Sequence, residues 1–426
     1  MSQPGERSPS GVADDFFRRE GARLVASLAA HLGTHRLQLA EDVVQEALVR
    51  ALQTWPYRGI PENPAAWLTQ TAKNLALDAL HREQTWQRKE ELITTEQELW
   101  LTRDEPPEVH VITDDTLRML FVCFHPQLSI EAQLALALRT VCGLSPSEIG
   151  AAFLTSEAAI AKRLVRARQL IRGLRLPFAV PDAGELPQRL DGVLAALYLL
   201  FNEGYKASSG ESLIREELCH EAIRLTRLLI AHSATSLTAT KALLALMCLN
   251  AARLRARVNP AGKIVRLHQQ DRSQWDARLI EEGILALGAA STGESISPYH
   301  LEAGIAACHC LAADDGSTDW SRILGFYDQL LHFKPTHIVA MNRSVALARV
   351  HGPHAGLESL ESIRDRKSLE QQHLYHAIRG SFMAKLGQID EARTAYQQAA
   401  ELTRCDVERD YLLGEINLWM IADSTI

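Results

Sequence analysis

"LSPSEIGAAFLTSEAAIAKRLVRARQLIRG", residues 144–173, carries two helix starts in close succession. Ser145 can cap a helix with Glu148 at N3 bonding back to it, and Pro146 falls at N1, where no amide donor is missed. That helix runs to about Phe153. "LTS" then supplies a short turn whose Ser156 can cap the next helix, which is helix-turn-helix spacing. In the second helix Ile160, Leu164, Ala167 and Ile171 form one apolar stripe, while Ala159, Lys162, Arg163 and Arg166 lie on the opposite face. Lys162, Arg163, Arg166, Arg168 and Arg172 gather with no acid after Glu157, in a chain of formal charge -7. A run against the global charge is either a solvated face or the footprint of an anionic partner, and DNA is the partner this pattern favours. The major groove admits such a helix, Arg can bond guanine edges bidentately, and the remaining cations neutralise phosphates. Leu154 and Ala158 stand where helix-turn-helix motifs usually carry Gly, so an altered turn geometry is expected.

Upstream, "LAEDVVQEALVRALQTW", residues 39–55, is amphipathic. Val43, Val44, Ala47, Leu48, Ala51 and Leu52 form the apolar side, and Asp42, Gln45 and Glu46 share a polar face. The loop "PYRGIPENP" follows. "AAWLTQTAKNLALDALHRE", residues 65–83, is then a second helix, with Lys73, Asn74, Asp78 and Arg82 recurring at helical spacing.

The chain of 426 residues is too long for one core, and its 46% hydrophobic and 23% charged residues fit an ordinary globular protein. Helical periodicity runs from Asp14 onward without a convincing strand, which predicts an all-α fold. No apolar run approaches the roughly 20 residues of a membrane span, and the first residues are polar, so a cytoplasmic protein with no membrane contact is expected. Seven scattered Cys without a CxxC read as reduced thiols. An acidic stretch containing Pro106-Pro107 and a cluster of Pro177, Pro181 and Pro187 break the helical pattern. "GAASTGESISP" is a softer break further on. The expected organisation is a flexible arm (1–13), a first helical module (14–89), an acidic linker (90–113), a helix-turn-helix module (114–175) and a long helical extension (176–426).

"AEDVVQEALVRA" followed by "AWLTQTAKNLALDALHR" resembles region 2 of sigma factors of the extracytoplasmic-function group, in the sigma-70 superfamily. "GLSPSEIGAAFLTSEAAIAKRLVRARQLIR" resembles their region 4. Two such motifs in order, with an acidic linker between them, are more specific than either alone. The resemblance implies that Asp42, Gln45 and Glu46 dock on bacterial RNA polymerase core. It implies that Asn63, Trp67, Lys73, Asn74, Asp78 and Arg82 read and open the -10 element of promoter DNA. Ser156, Glu157, Ala159, Lys162, Arg163 and Arg166 would read the -35 element, and the linker would enter the polymerase channel.

Most of the extension lies beyond these motifs. "HLYHAIRGSFMAKLGQIDEARTAYQQAAEL", residues 373–402, places Gly380, Gly387, Ala392, Tyr396 and Ala399 as one tetratricopeptide repeat does, and Tyr327, Pro335, Asn342 and Ala346 form a weaker copy. Stacked helix pairs make concave surfaces that bind a small regulatory protein or a ligand. "YLLFNEGYKASSG" and "HQQDRSQWD" resemble the extension of a sigma subgroup with a tetratricopeptide-like C-terminal domain. Asn202, Glu203, Tyr205, Asp271, Arg272 and Trp275 are the candidate regulatory site there, although helix termini and inter-helix hydrogen bonds explain such residues more often. "CHC" at 308–310 does not have metal-ligand spacing on a helix, and no phosphate loop or nucleophile elbow is present, so no catalytic residue, metal or cofactor is expected. The reading is a sigma factor that works by binding and is regulated by its own extension. Two rivals remain: a helix-turn-helix regulator that senses a ligand without joining core polymerase, and an enzyme housed in the C-terminal half. Asp42, Gln45 and Glu46 separate the sigma factor from the first rival, because a stand-alone regulator has no use for a polymerase-facing acidic patch, and a bound cofactor or turnover would mark the enzyme.

Overall fold

The computed structural model describes residues 9–86, 109–153, 155–205, 214–259, 263–293, 295–364, 369–403 and 406–423. Among these residues the chain is all-α, with no strand beyond an isolated bridge between Val258 and Ile264. It forms two compact units, Met1–Ala196 and Leu197–Ile426.

In the first unit α1 (Pro9–Leu32), α2 (Leu37–Arg58) and α3 (Pro64–Trp86) pack together. α2 buries Val43, Val44, Ala47 and Ala51, whereas Leu52, expected on the apolar side, is 60% exposed. Leu52 stands at the edge of the stripe, beside the fully buried Ala51. Facing α2, α3 buries Leu68, Ala72, Leu75, Ala76 and Leu80. α4 (Val109–Cys123) packs on α1 and buries Leu117 and Met119 through Cys123 almost completely. The last five residues of the expected linker, 109–113, therefore belong to α4, while residues 90–108 fall outside the described residues.

α5 (Ile130–Thr140) is capped by Ser129, and α6 (Pro146–Ala152) begins at the capping box read in the sequence. There the Glu148 amide donates to Ser145 Oγ at 3.1 Å and the Ser145 amide to Glu148 Oε2 at 2.7 Å. α7 (Glu157–Leu174) is capped by Ser156 Oγ, which accepts from the Ala159 amide at 3.2 Å. Ile160, Leu164, Ala167 and Ile171 are buried at 0–2% exposure, each side chain of this size contributing about 1.5–3 kcal/mol for Leu or Ile. Ala158 needs no glycine: it lies in the first turn of α7 without a positive φ. The close approach is made by Gly150, whose place a Cβ could not share with the Thr155 carbonyl at 2.7 Å. Leu154 falls outside the described residues.

The two compact units meet at 196/197, inside α8 (Leu186–Tyr205). Two side-chain bonds hold the connection to the first unit: Thr34 Oγ1 donates to the Leu176 carbonyl at 2.7 Å, and Arg189 donates to the Phe121 carbonyl.

In the second unit α10 (Thr238–Ala251) is apolar all round, with Ala242–Leu249 buried throughout, and α9 (Glu216–Ala231), α11 (Ala277–Ala290) and α12 (Pro298–Leu311) pack around it. Packed neighbours follow: α13 (Trp320–Phe333) with α14 (His337–His351), α14 with α15 (Pro353–Glu361), α16 (His373–Lys385) with α17 (Ile389–Leu402), and α17 with α18 (Asp406–Asp423). In the α16/α17 pair Gly380 lets the Tyr396 ring approach, since a Cβ there would lie 2.9 Å from it.

Candidate functional site

The polar face of α2 is open. Asp42, Gln45 and Glu46 are exposed one turn apart, Asp42 accepting from Gln38 at 2.8 Å and Glu46 pairing with Arg50 at 3.0 Å. Exposed i,i+4 pairs of this kind are weak, so both carboxylates remain exchangeable for a partner. The last turn of α2 and the segment that follows it are exposed. Tyr57 is 89% and Ile60 72% exposed. Tyr57 lies in the last turn of α2 beside Arg58, and Ile60 just past its end; an exposed aromatic ring next to a basic residue suits stacking on unpaired bases, and the sequence reading passed over it. Asn63 caps α3 through Oδ1, which accepts from the Ala66 amide at 3.1 Å, and Trp67 packs edge-on against Trp55 at 5.6 Å between ring centroids. Asn74, Asp78 and Arg82 are exposed along α3. Lys73 is the exception and a correction to the expected set: at 2% exposure its side chain is inside the module, on the buried stripe with Ala72 and Ala76, and is not presented to DNA.

On α7, Ser156, Glu157, Lys162 and Arg166 are exposed, with Ala159 and Arg163 half-buried. Ala159, Lys162, Arg163 and Arg166 form one wall of a groove of about 470 Å³ whose other wall is Gln127, Leu128, Ser129 and Ala132. Arg168, on the flank of the same helix, points elsewhere: it donates to Glu41 Oε2, while Thr140 Oγ1 donates to Glu41 Oε1 at 2.7 Å. Glu41 is only 5% exposed. A signal for it existed in the sequence, since Glu41 is a lone acid on the stripe Leu37, Val44, Leu48.

In the second unit Tyr205, Arg272 and Trp275 come together around Arg253, which sequence reading missed. Arg253 donates to Tyr205 Oη at 2.6 Å and lies 5.8 Å from the Trp275 ring centroid, and Arg272 lies 5.0 Å from the same ring. Arg257 stacks on Tyr205 at 3.9 Å. Asn202 lines a cleft with Arg253, whereas Asp271 does not join: exposed, it caps a short 3-10 turn by accepting from Ser273 and Gln274. Glu203 is half-buried near the end of α8.

Residues 17–86 match the family Sigma-70 region 2, and residues 189–291 match a family of unknown function, DUF6596. An uncharacterized protein of Rhizobium meliloti (strain 1021) is 39% identical over 387 residues, which cover 89% of this chain and 90% of that protein. The chain belongs to that protein's family. Its region 2 supports membership of the sigma-70 superfamily, and it is that match, 17–86, which contains both the open α2 face and the exposed Tyr57. The unknown-function family covers Asn202, Tyr205, Arg253, Arg257, Arg272 and Trp275. No solved structure matches the chain. Among the described residues no helix is long and apolar enough to cross a membrane.

Proposed function

We propose that this chain is an alternative sigma factor of the extracytoplasmic-function type, which joins bacterial RNA polymerase core and directs it to promoters. The observation that carries the reading is the exposed carboxylate face of α2 with the exposed Tyr57 ring at the end of the same helix, in a segment that matches sigma-70 region 2. Asp42, Gln45 and Glu46 dock on core. Tyr57, Asn63, Trp67, Asn74, Asp78 and Arg82 hold the -10 element. α6 and α7 act as a helix-turn-helix in which Lys162, Arg163 and Arg166 meet the -35 element, the exposure of Lys162 and Arg166 and the charge of all three supporting that role. The second unit is a tetratricopeptide-like regulatory domain acting in cis. Every step is binding and positioning, so no covalent chemistry, metal or cofactor is required.

Transcription in vitro with purified core polymerase and a promoter library tests the proposal. Initiation at a defined subset of promoters, dependent on the added chain, is the expected result. Binding to DNA without binding to core would instead establish a stand-alone regulator.

A further inference from the structure

The second unit contains a cleft of about 510 Å³, within the range of roughly 300–1,000 Å³ that small-molecule sites occupy. Its floor is apolar, with Leu246 from α10, Ile305 from α12 and Leu330 from α13, and its polar groups converge from separate helices. The single carboxylate of the cleft, Glu302, is already engaged: Tyr198 donates to it at 2.5 Å and Lys334 lies 3.6 Å from it. Arg253, which lines the same cleft, has no such partner among the described residues. Its bonds go to two neutral acceptors, Tyr205 Oη and Asn250 Oδ1 at 2.9 Å, and no carboxylate lies within ion-pair distance among the described residues.

The surroundings add to that charge. Arg272 spends its donors on the His309 and Ala312 carbonyls at 2.6 and 2.5 Å, and Arg257 donates to the Tyr205 carbonyl; neither has an ion-pair carboxylate among the described residues. Partly buried guanidiniums without counter-charge are costly for a fold to keep, and an anion arriving from outside relieves that cost. His309 lines the same cleft at 8% exposure, and its Nδ1 has no hydrogen-bond partner among the described residues. Asn342, on α14, lines the cleft as well and makes no hydrogen bond among them.

We propose that this cleft binds a small organic anion, its carboxylate received by Arg253 and its carbon body lying on the apolar floor. The planar guanidinium matches a carboxylate bidentately. One unpaired guanidinium beside Glu302 fits a single negative charge better than a phosphate dianion. The site rests on the second unit alone and stands whether or not the chain joins polymerase.

The test is calorimetric titration and thermal melting of the full chain with acetate, succinate, glutamate, benzoate and inorganic phosphate, each up to about 10 mM, where even a millimolar site is largely filled. One or more of the carboxylates should bind saturably at one site per chain and raise the melting temperature. Arg253→Gln should weaken that binding roughly tenfold or more, as expected for losing a charged hydrogen-bonding partner. Because Arg253 also braces Tyr205, Asn342→Asp is the second variant: it should melt like the parent without ligand and bind the carboxylate at least about tenfold more weakly, through charge repulsion. Failure of all the carboxylates to bind, binding by phosphate alone, or undiminished binding by Asn342→Asp would each overturn the proposal.

Discussion

His309 sits on α12, its ring edge-on to Trp320, where burial and then the charges of Arg253 and Arg272 pull its imidazole down to about 4. Arg349 pushes in the same direction and Asp315 opposes it. The imidazole is thus neutral when folded and titrates near 6.5 when unfolded, so its contribution to stability is complete above pH 6.5. That contribution is lost as pH falls from 6.5 through 4, and amounts to about 3 kcal/mol. His309→Phe should flatten this part of the pH dependence of the urea midpoint, and an unchanged slope would show that other groups cause it. At the other end of the chain, Asp42→Ala combined with Gln45→Ala alters only exposed side chains, a change usually worth within about 0.5 kcal/mol. The double variant should keep its melting temperature and fail to co-purify with core polymerase. Normal holoenzyme formation would remove α2 from the interface.

Within α6 and α7 the demands of the turn and of the surface can be separated. Gly150→Ala would push a Cβ to 2.7 Å from the Thr155 carbonyl, and since backbone must move, about 1–3 kcal/mol of destabilisation is expected, read in denaturant melts. Lys162→Ala leaves the buried stripe untouched. If Lys162 meets a phosphate, this variant should weaken binding to every DNA sequence alike and reduce the salt slope by about one unit. Arg166→Ala should instead relax preference at one or two base positions, each worth about 1–3 kcal/mol. Loss of affinity in both without altered preference would make α7 an electrostatic anchor.

Across the first unit, Glu41 of α2, Thr140 of α5 and Arg168 of α7 join the two modules proposed to read separate promoter elements. Elements named for positions -10 and -35 lie about 25 base pairs, or roughly 85 Å, apart at 3.4 Å per pair. A compact unit of 196 residues has a radius of gyration of only about 16 Å. The Glu41 contact must therefore open when both elements are engaged. Spectroscopic labels on α3 and α7 should move apart by tens of ångströms, roughly, when core and promoter are added. A constant distance in an active complex would rule this out. Arg168→Met leaves Glu41 buried with Thr140 alone and should destabilise the free chain by about 3–5 kcal/mol, the usual cost of orphaning one member of a buried pair.

The all-α class, the capping box at Ser145, the stripe from Ile160 to Ile171 and the open face of α2 were legible in the sequence. Each is set by neighbours within a turn or two, and helical spacing reports such relations directly. The region 2 family was legible for the same reason, because its motifs are local. Tertiary structure decided the rest. Lys73 and Leu52 changed sides because burial at the margins of a stripe depends on which helix packs there. Glu41 found Arg168 across 127 positions, and Arg253 gathered Tyr205, Trp275 and His309 from four separate segments. Periodicity shows that a polar residue sits on a buried face. Only the packed chain shows what satisfies it, because a buried charge is matched through space and the sequence distance to its partner is unconstrained.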